Sequence, residues 1–299
     1  MESEFKKIGD LIQSAFDKLV NAGSTFDGIS GIPSGFKALD KITSGWQDGD
    51  LIAIGGRPGM GKTSFILSMI KNIVVDNKIP TMLFSPCMSP QNVVNRILFN
   101  MCSIPIDRIQ NGMLAPYEWG CIDSNINILK ECSLFIDSTP ILKINDLCKK
   151  AKEAVIENGV RIIFIDYLQM LYQEVQYSDN RYLELNYFTR RLKSLARELE
   201  IPIIVTSQLN RDIEKRGTCD YIYNRPQLTD FRDSGTICDD CDIAIFIHRP
   251  EYYHDYTDDK GCDLRGIAEI ILAKYRNGPS TEHRIKFTQE FCRFEDIEN

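Results

Sequence analysis

The sequence predicts an α/β fold, with a mainly parallel central sheet flanked by helices and an antiparallel hairpin at the C-terminal end. Three observations carry this expectation. Strand-sized apolar runs alternate with helix-length segments between residues 51 and 247, the pattern that right-handed strand–helix–strand crossovers leave in a sequence. Several of those runs are apolar throughout, as parallel strands buried on both faces must be. The first of them opens into Gly56–Thr63, GRPGMGKT, which matches G-x-x-x-x-G-K-[ST], a loop that belongs between a strand and a helix of a P-loop NTPase.

The elements follow in order. Leu51 to Ile54 is the strand that enters the loop, and Phe65, Ile66, Met69, Ile70, Ile73 and Val74 lie on one face of the helix that leaves it. Further strands are expected at Thr81 to Ser85, Ser133 to Asp137, Arg161 to Asp166, Ile201 to Thr206 and Asp242 to Ile247. Ser89-Pro90 has the form of an N-cap followed by proline at the first helical position, and the helix Asn145 to Asn158 ends at Gly159. After residue 266 the texture changes: Ile267 to Tyr275 and His283 to Thr288 flank Asn277-Gly278, an antiparallel hairpin with a somewhat long turn. The first 27 residues stand apart, with Ile8, Leu11, Ile12, Ala15, Phe16 and Leu19 forming an apolar stripe at helical spacing. That stripe needs a partner, either its own domain or a neighbouring subunit.

The loop carries the first functional expectation, the binding of a nucleoside triphosphate. Gly56, Arg57, Pro58, Gly59, Met60, Gly61, Lys62, Thr63 and Ser64 bring backbone N–H groups around phosphate oxygens at a helix N-terminus. Lys62 supplies a point charge, and the Thr63 hydroxyl can ligate Mg²⁺. Such a site needs a second acidic ligand at the end of a neighbouring strand, and Arg161-Ile-Ile-Phe-Ile-Asp166 provides it in Asp166. In Ile203-Ile-Val-Thr-Ser-Gln208-Leu-Asn-Arg211 a polar cluster follows another buried strand, and the Gln208 amide can sense a γ-phosphate.

Composition limits the alternatives. The 43% hydrophobic and 26% charged fractions are those of a soluble globular protein. The longest apolar runs are strand-sized and MESEFKKIGD lacks the apolar core of a signal peptide, so a cytoplasmic protein without membrane contact is expected. The ten cysteines are scattered and expected to be reduced; the one C-x-x-C, Cys238 to Cys241, lacks the second ligand pair of a structural zinc site. A net charge of −7 gives no bulk attraction to nucleic acid, so any such contact requires a local basic patch. Residues 181 to 216 are richer in basic than acidic groups, whereas 239 to 263 are mostly acidic.

Taken in order, GIPSGFKALDKITSGWQDGDLIAIGGRPGMGKT, IIFIDYLQM, VTSQLNR, FRDSGTICDDCDIAIFIHRPEYY and AEIILAKYRNGP resemble the RecA-like ATPase domain of the DnaB family of replicative DNA helicases. The resemblance runs from about Gly28 to the C-terminus, giving residues 28–299 as the ATPase domain and 1–27 as an amphipathic linker helix of the kind that docks on the next subunit of a hexamer. It implies ATP and Mg²⁺ as cofactors, Asp166 completing the metal shell, and Gln208 linking nucleotide state to DNA. Lys274 and Arg276 match the basic pair that reaches the γ-phosphate on the next subunit. Arg232, Asp233 and Gly235 align with the loop that grips single-stranded DNA, by phosphate contact rather than base readout, and Arg181 lies on a second candidate loop. The implied activity is 5′-to-3′ translocation on single-stranded DNA driven by ATP, with a primase or helicase loader as partner.

One position departs from the family pattern. Where the family has a catalytic glutamate in Ser-Leu-Glu-Met, this chain has Ser85-Pro86-Cys87-Met88. A thiol accepts a proton only as thiolate, its ordinary pKa is about 8.5, and it is shorter than a carboxylate. The sequence therefore leaves two readings, a hydrolysing motor or an ATP-binding ring or filament protein deficient in hydrolysis.

Overall fold

The computed structural model describes residues 7–9, 12–13, 16, 20, 28–105, 107–108, 111–173, 181–216, 224–231 and 235–297. The chain runs from α1 (Lys37–Thr43) into β1 (Leu51–Gly56), α2 (Lys62–Lys71), β2 (Thr81–Phe84), α3 (Pro90–Cys102), α4 (Pro116–Lys130) and β3 (Leu134–Asp137). There follow β4 (Leu142–Lys143), α5 (Ile144–Asn158), β5 (Ile162–Ile165), β6 (Leu171–Tyr172), α6 (Arg181–Leu199) and β7 (Ile203–Gln208). The last elements are α7 (Gly235–Asp240), β8 (Ile243–His248), β9 (Ile267–Tyr275), β10 (Thr281–Thr288) and β11 (Arg293–Glu295).

Nine strands form one sheet in the order β11-β10-β9-β8-β1-β7-β5-β2-β3, parallel from β8 to β3 and antiparallel from β8 through β9 and β10 to β11. The strand faces divide the core in two. Leu51, Ala53, Ile163, Ile165, Ile203, Val205, Ala244 and Phe246 face Leu147 and Ala151 of α5, Phe188 and Leu192 of α6, and Ile237 of α7. The alternate residues Ile52, Ile54, Ile162, Phe164, Ile204, Ile243 and Ile245 face Phe36, Phe65, Ile70 and the hairpin residues Phe287 and Phe294. Both faces exclude water, which is why these strands read as unbroken apolar runs. Across the second face Phe65 stacks on Phe36 with centroids 4.9 Å apart and meets Phe294 edge-on at 5.3 Å. Truncating Phe65 to alanine would cost about 3–5 kcal/mol through lost burial and a cavity.

The capping signals hold. The Ser89 hydroxyl accepts the Asn92 N–H at 3.3 Å with Pro90 at the first position of α3, and Gly159 ends α5 at φ 64°. Differences are at edges. β5 stops at Ile165, so Asp166 stands just past the strand, and β7 begins at Ile203 and runs on to Gln208. The second hairpin strand begins at Thr281, not His283, and the hairpin gains a third strand, β11, too short to leave a periodicity. Of the N-terminal stripe, Ile8, Ile12 and Phe16 are described and all three are exposed, so they make no core contact within this chain; Leu11, Ala15 and Leu19 lie outside the described residues.

Candidate nucleotide and DNA site

The phosphate loop joins the C-terminal end of β1 to the N-terminus of α2, where free N–H groups and the helix dipole favour an anion. Gly61, the N-cap of α2, has φ 90°, and a Cβ there would meet the Phe294 ring at 3.0 Å; only glycine takes this turn without strain. The Lys62 ammonium is folded back over the loop, donating to the carbonyls of Gly56 at 2.7 Å and Arg57 at 3.2 Å. Burial lowers its pKa to about 8 against the opposing pull of Asp166, since removing the ammonium from water penalises the charged form.

Asp166 is 2% exposed yet fully bonded. One oxygen accepts the Thr63 hydroxyl at 2.7 Å, the other the Thr206 hydroxyl at 2.5 Å, and the Asp166 N–H donates to the Phe84 carbonyl at 2.9 Å. The expected pair Thr63 and Asp166 is thus brought together across three strands. Thr206 was not singled out from the sequence, although a hydroxyl at the end of an apolar buried strand signals a required partner. A hydroxyl and a carboxylate form the hard oxygen set that Mg²⁺ takes, with other positions left to phosphate and water, and both face the lysine-bearing loop, so the residues fit ATP with Mg²⁺.

The Arg57 side chain is engaged away from the loop. It is 4% exposed and turned away, donating to the Glu214 carboxylate at 2.6 and 3.0 Å and to the Leu209 carbonyl at 2.9 Å, which straps the loop to the segment after β7. Within the loop Met60 is buried, Ser64 lies in the first turn of α2, and Arg249, itself buried against the Phe287 ring at 4.2 Å, donates to the Gly59 carbonyl at 3.2 Å. Pro58 is exposed at the tip. The Arg249 contacts to Gly59 and Phe287 gave no signal in the sequence because those residues are remote in chain order, whereas its ion pair with Glu251 is local.

Cys87 lies beside the metal-side carboxylate, its sulfur 3.5 Å from the Asp166 carbonyl. Partial burial first, and the Asp166 charge second, push the thiol up, so at neutral pH it holds its proton and cannot take one from water. Gln208 ends β7, and its backbone is gripped by Gln169, a residue of the IIFIDYLQM segment given no role from the sequence: Gln169 Oε1 accepts the Gln208 N–H at 3.2 Å and its amide nitrogen donates to Ser207 Oγ at 2.9 Å.

The DNA-side candidates are only partly in view. Arg232 and Asp233 lie outside the described residues, and Gly235 is the first residue of α7. Arg181 begins α6, pairs with Glu184 and donates to the Gln169 carbonyl at 2.6 Å. Lys274 and Arg276 sit at the other end of the sheet. Lys274 donates to the carbonyls of Cys238, Asp239 (3.4 Å) and Cys241 (2.7 Å), capping the C-terminus of α7. Arg276 is half exposed and pairs with Asp242 at 3.0 Å. Because Asp242 bonds Leu51 at the start of β1, Arg276 is separated from its own phosphate loop by the six residues of β1, about 16 Å along the strand.

Residues 31–296 match the DnaB-like helicase C-terminal domain. The chain is 36% identical over 294 residues to the replicative DNA helicase DnaB of Geobacillus stearothermophilus, covering 98% of this chain and 63% of that protein. It is 38% identical to DnaB of Buchnera aphidicola subsp. Baizongia pistaciae, covering 96% and 60%. The chain therefore spans about three fifths of the curated relatives it matches. Among solved structures, one ATPase domain superposes with a TM-score of 0.88 at 31% identity, covering 99% of this chain and all of that one. A DnaB-like replicative helicase, described with its interactions with primase, superposes at 0.85 and 31%, covering 99% and 68%. With the phosphate loop, the Thr63–Asp166 pair and the sheet order all in agreement, the chain belongs to the DnaB-like helicase C-terminal domain family.

Proposed function

We propose that this chain is the motor domain of a replicative DNA helicase, binding ATP with Mg²⁺ between subunits of a hexamer and translocating on single-stranded DNA. The observation that carries this is the buried Asp166, held by Thr63 from the phosphate loop and Thr206 from β7, because it joins the nucleotide pocket to the strand whose end bears Gln208. Lys62 and the N–H groups of the loop bind the phosphates, and Thr63 and Asp166 hold the metal. Mg²⁺, when bound, neutralises charge on the β- and γ-phosphates. Family membership favours a motor over a nucleotide-gated holder.

Assembly is supported from two sides. The exposed Ile8, Ile12 and Phe16 need a cover, and an open apolar groove of about 250 Å³ lined by Val94, Ile97, Leu98, Ile126, Leu129 and Ile136 offers a complementary surface on another copy. Arg276, with Lys274 beside it, lies too far from its own phosphates to act on them, which suits a cation serving the next subunit's nucleotide. Arg181 and the Arg232–Gly235 loop are the proposed DNA contacts, and a primase or loader is the proposed protein partner. No helix of the described residues is long and apolar enough to cross a membrane.

Steady-state ATP turnover, with and without single-stranded DNA, tests this reading. The chain as it stands should turn ATP over slowly, because the Cys87 thiol is a poor base; Cys87→Glu should raise the DNA-stimulated rate by about 10²–10⁴, the usual worth of a positioned general base. No gain from the glutamate, in a protein that binds ATP and turns it over only at the slow basal rate, would refute the motor assignment.

A further inference from the structure

Gln169 lies in the short 3₁₀ turn Leu168–Met170 that follows the metal-side carboxylate. The β5–β7 ladder ends with Ile165 opposite Val205, and beyond it the Gln169 side chain takes over the pairing. Its Oε1 accepts the Gln208 N–H at 3.2 Å, while Nε2 donates to Ser207 Oγ at 2.9 Å and lies 3.5 Å from the Gln208 carbonyl. A primary amide has one acceptor and two donors, so the side chain behaves as one more peptide group added to the edge of β7. It fixes the backbone from which the Gln208 side chain projects.

The main chain of the same residue faces the other way. Its carbonyl accepts the Arg181 guanidinium at 2.6 Å, a charge-assisted bond of the stronger kind. Arg181 is half exposed and is also paired to Glu184, so a nucleic-acid phosphate can draw it off only by competing with both acceptors. Losing the arginine would leave the Gln169 carbonyl without its charged donor and free the 3₁₀ turn to shift, and the amide on β7 moves with that turn.

We propose that Gln169 is a positioning residue that couples nucleotide state at Gln208 to single-strand engagement at Arg181. The inference rests on the helicase reading above and adds to it the residue through which the two sites communicate within one subunit. Coupling of this kind is reciprocal: nucleotide that fixes Gln208 changes the affinity for DNA by the same factor as DNA changes the affinity for nucleotide.

The test uses the full chain with Mg²⁺ and a fluorescent oligothymidylate, comparing its affinity in the presence of a non-hydrolysable ATP analogue and of ADP. The wild type should show a ratio in the usual range of coupling, about 5- to 150-fold. Gln169→Ala should bring that ratio to about one while leaving analogue affinity and DNA affinity in ADP within about twofold of wild type. Gln169→Glu keeps the acceptor for Gln208 N–H but loses both donations, and should fall between the two; Ser207→Ala removes one partner without touching Gln169 and should lower the ratio in a protein that folds normally. A wild-type ratio retained by Gln169→Ala would overturn the proposal. So would a lower melting temperature with both affinities weakened and the ratio preserved, which is the signature of a purely structural glutamine. A ratio of one in the wild type itself would instead overturn the helicase reading beneath it.

Discussion

Nucleotide binding should weaken as pH rises through 8, and Lys62 sets the window. Its pKa is lowered to about 8 by burial, whereas only the ammonium form can pair with a phosphate oxygen. At pH 7 about nine tenths of the apo protein carries the charge and at pH 9 about one tenth, so affinity should fall about tenfold between them, equivalent to about 1.4 kcal/mol. The sign for folding is the opposite. Between pH 8 and the ordinary lysine value of 10.5, the unfolded chain binds the additional proton, so the apo fold gains from rising pH in the window where binding loses. The assay is calorimetric titration with the Mg²⁺ complex of a non-hydrolysable ATP analogue. Repeating it in buffers of different ionisation enthalpy measures proton uptake, which should reach about half a proton near pH 8 and approach one by pH 9. Lys62→Ala should bind about tenfold or more weakly at pH 7, having lost a charge-assisted contact worth roughly 1.5–3 kcal/mol, and should show no such slope. A flat wild-type profile, or a slope surviving in Lys62→Ala, would refute the assignment of the buried ammonium to the phosphates.

Two further outcomes follow from the structure. His248 is 1% exposed, and burial, with Arg225 second, lowers its pKa to about 3; the fold keeps it neutral while the unfolded chain takes a proton below about 6.5, so stability is full above that value and lost as pH falls. The loss between pH 7 and 5 should be about 2 kcal/mol in denaturant titrations, and His248→Gln should remove that part of the acid slope; an unchanged slope would contradict a buried neutral imidazole. Mixing Arg276→Ala chains with Lys62→Ala chains should restore some of the ATP turnover that each lacks alone, through interfaces where an intact arginine meets an intact phosphate loop; no rescue in mixed oligomers at any ratio would show that Arg276 works within its own subunit.

Much of the fold was legible because its signals are local. An apolar strand, a glycine loop and an amphipathic helix are contiguous at Leu51 to Val74, and the carboxylate Asp166 closes the apolar run Ile162 to Ile165, which is buried throughout. What escaped was set by tertiary contact. Arg57 stands inside the phosphate-loop motif but spends its guanidinium on Glu214 and Leu209, partners 157 and 152 residues away, and no spacing rule finds such a pair. Gln169 had no periodicity to mark it, since a three-residue 3₁₀ turn is shorter than any window in which a pattern is read. Thr206 was the exception that carried a signal, a hydroxyl closing the apolar run Ile203 to Val205.

The sheet also explains why the candidate site residues divide into two sets. Lys62, Thr63, Asp166 and Gln208 collect at the C-terminal ends of β1, β5 and β7, where a parallel sheet leaves strand ends and helix N-termini open to a ligand. Arg276 collects with Asp242 and Lys193 at the N-terminal ends of β1 and β8. A parallel sheet cannot bring its two ends together within one subunit. Any reaction that needs both sets must therefore take them from different copies of the chain, and a closed ring is the simplest arrangement that gives every copy one complete site without leaving an unpaired end. Lys274, capping the C-terminus of α7, the helix that Gly235 opens, then links the proposed DNA contact of one subunit to Arg276, the cation proposed to serve its neighbour, so DNA moving past that contact would be registered at the next nucleotide.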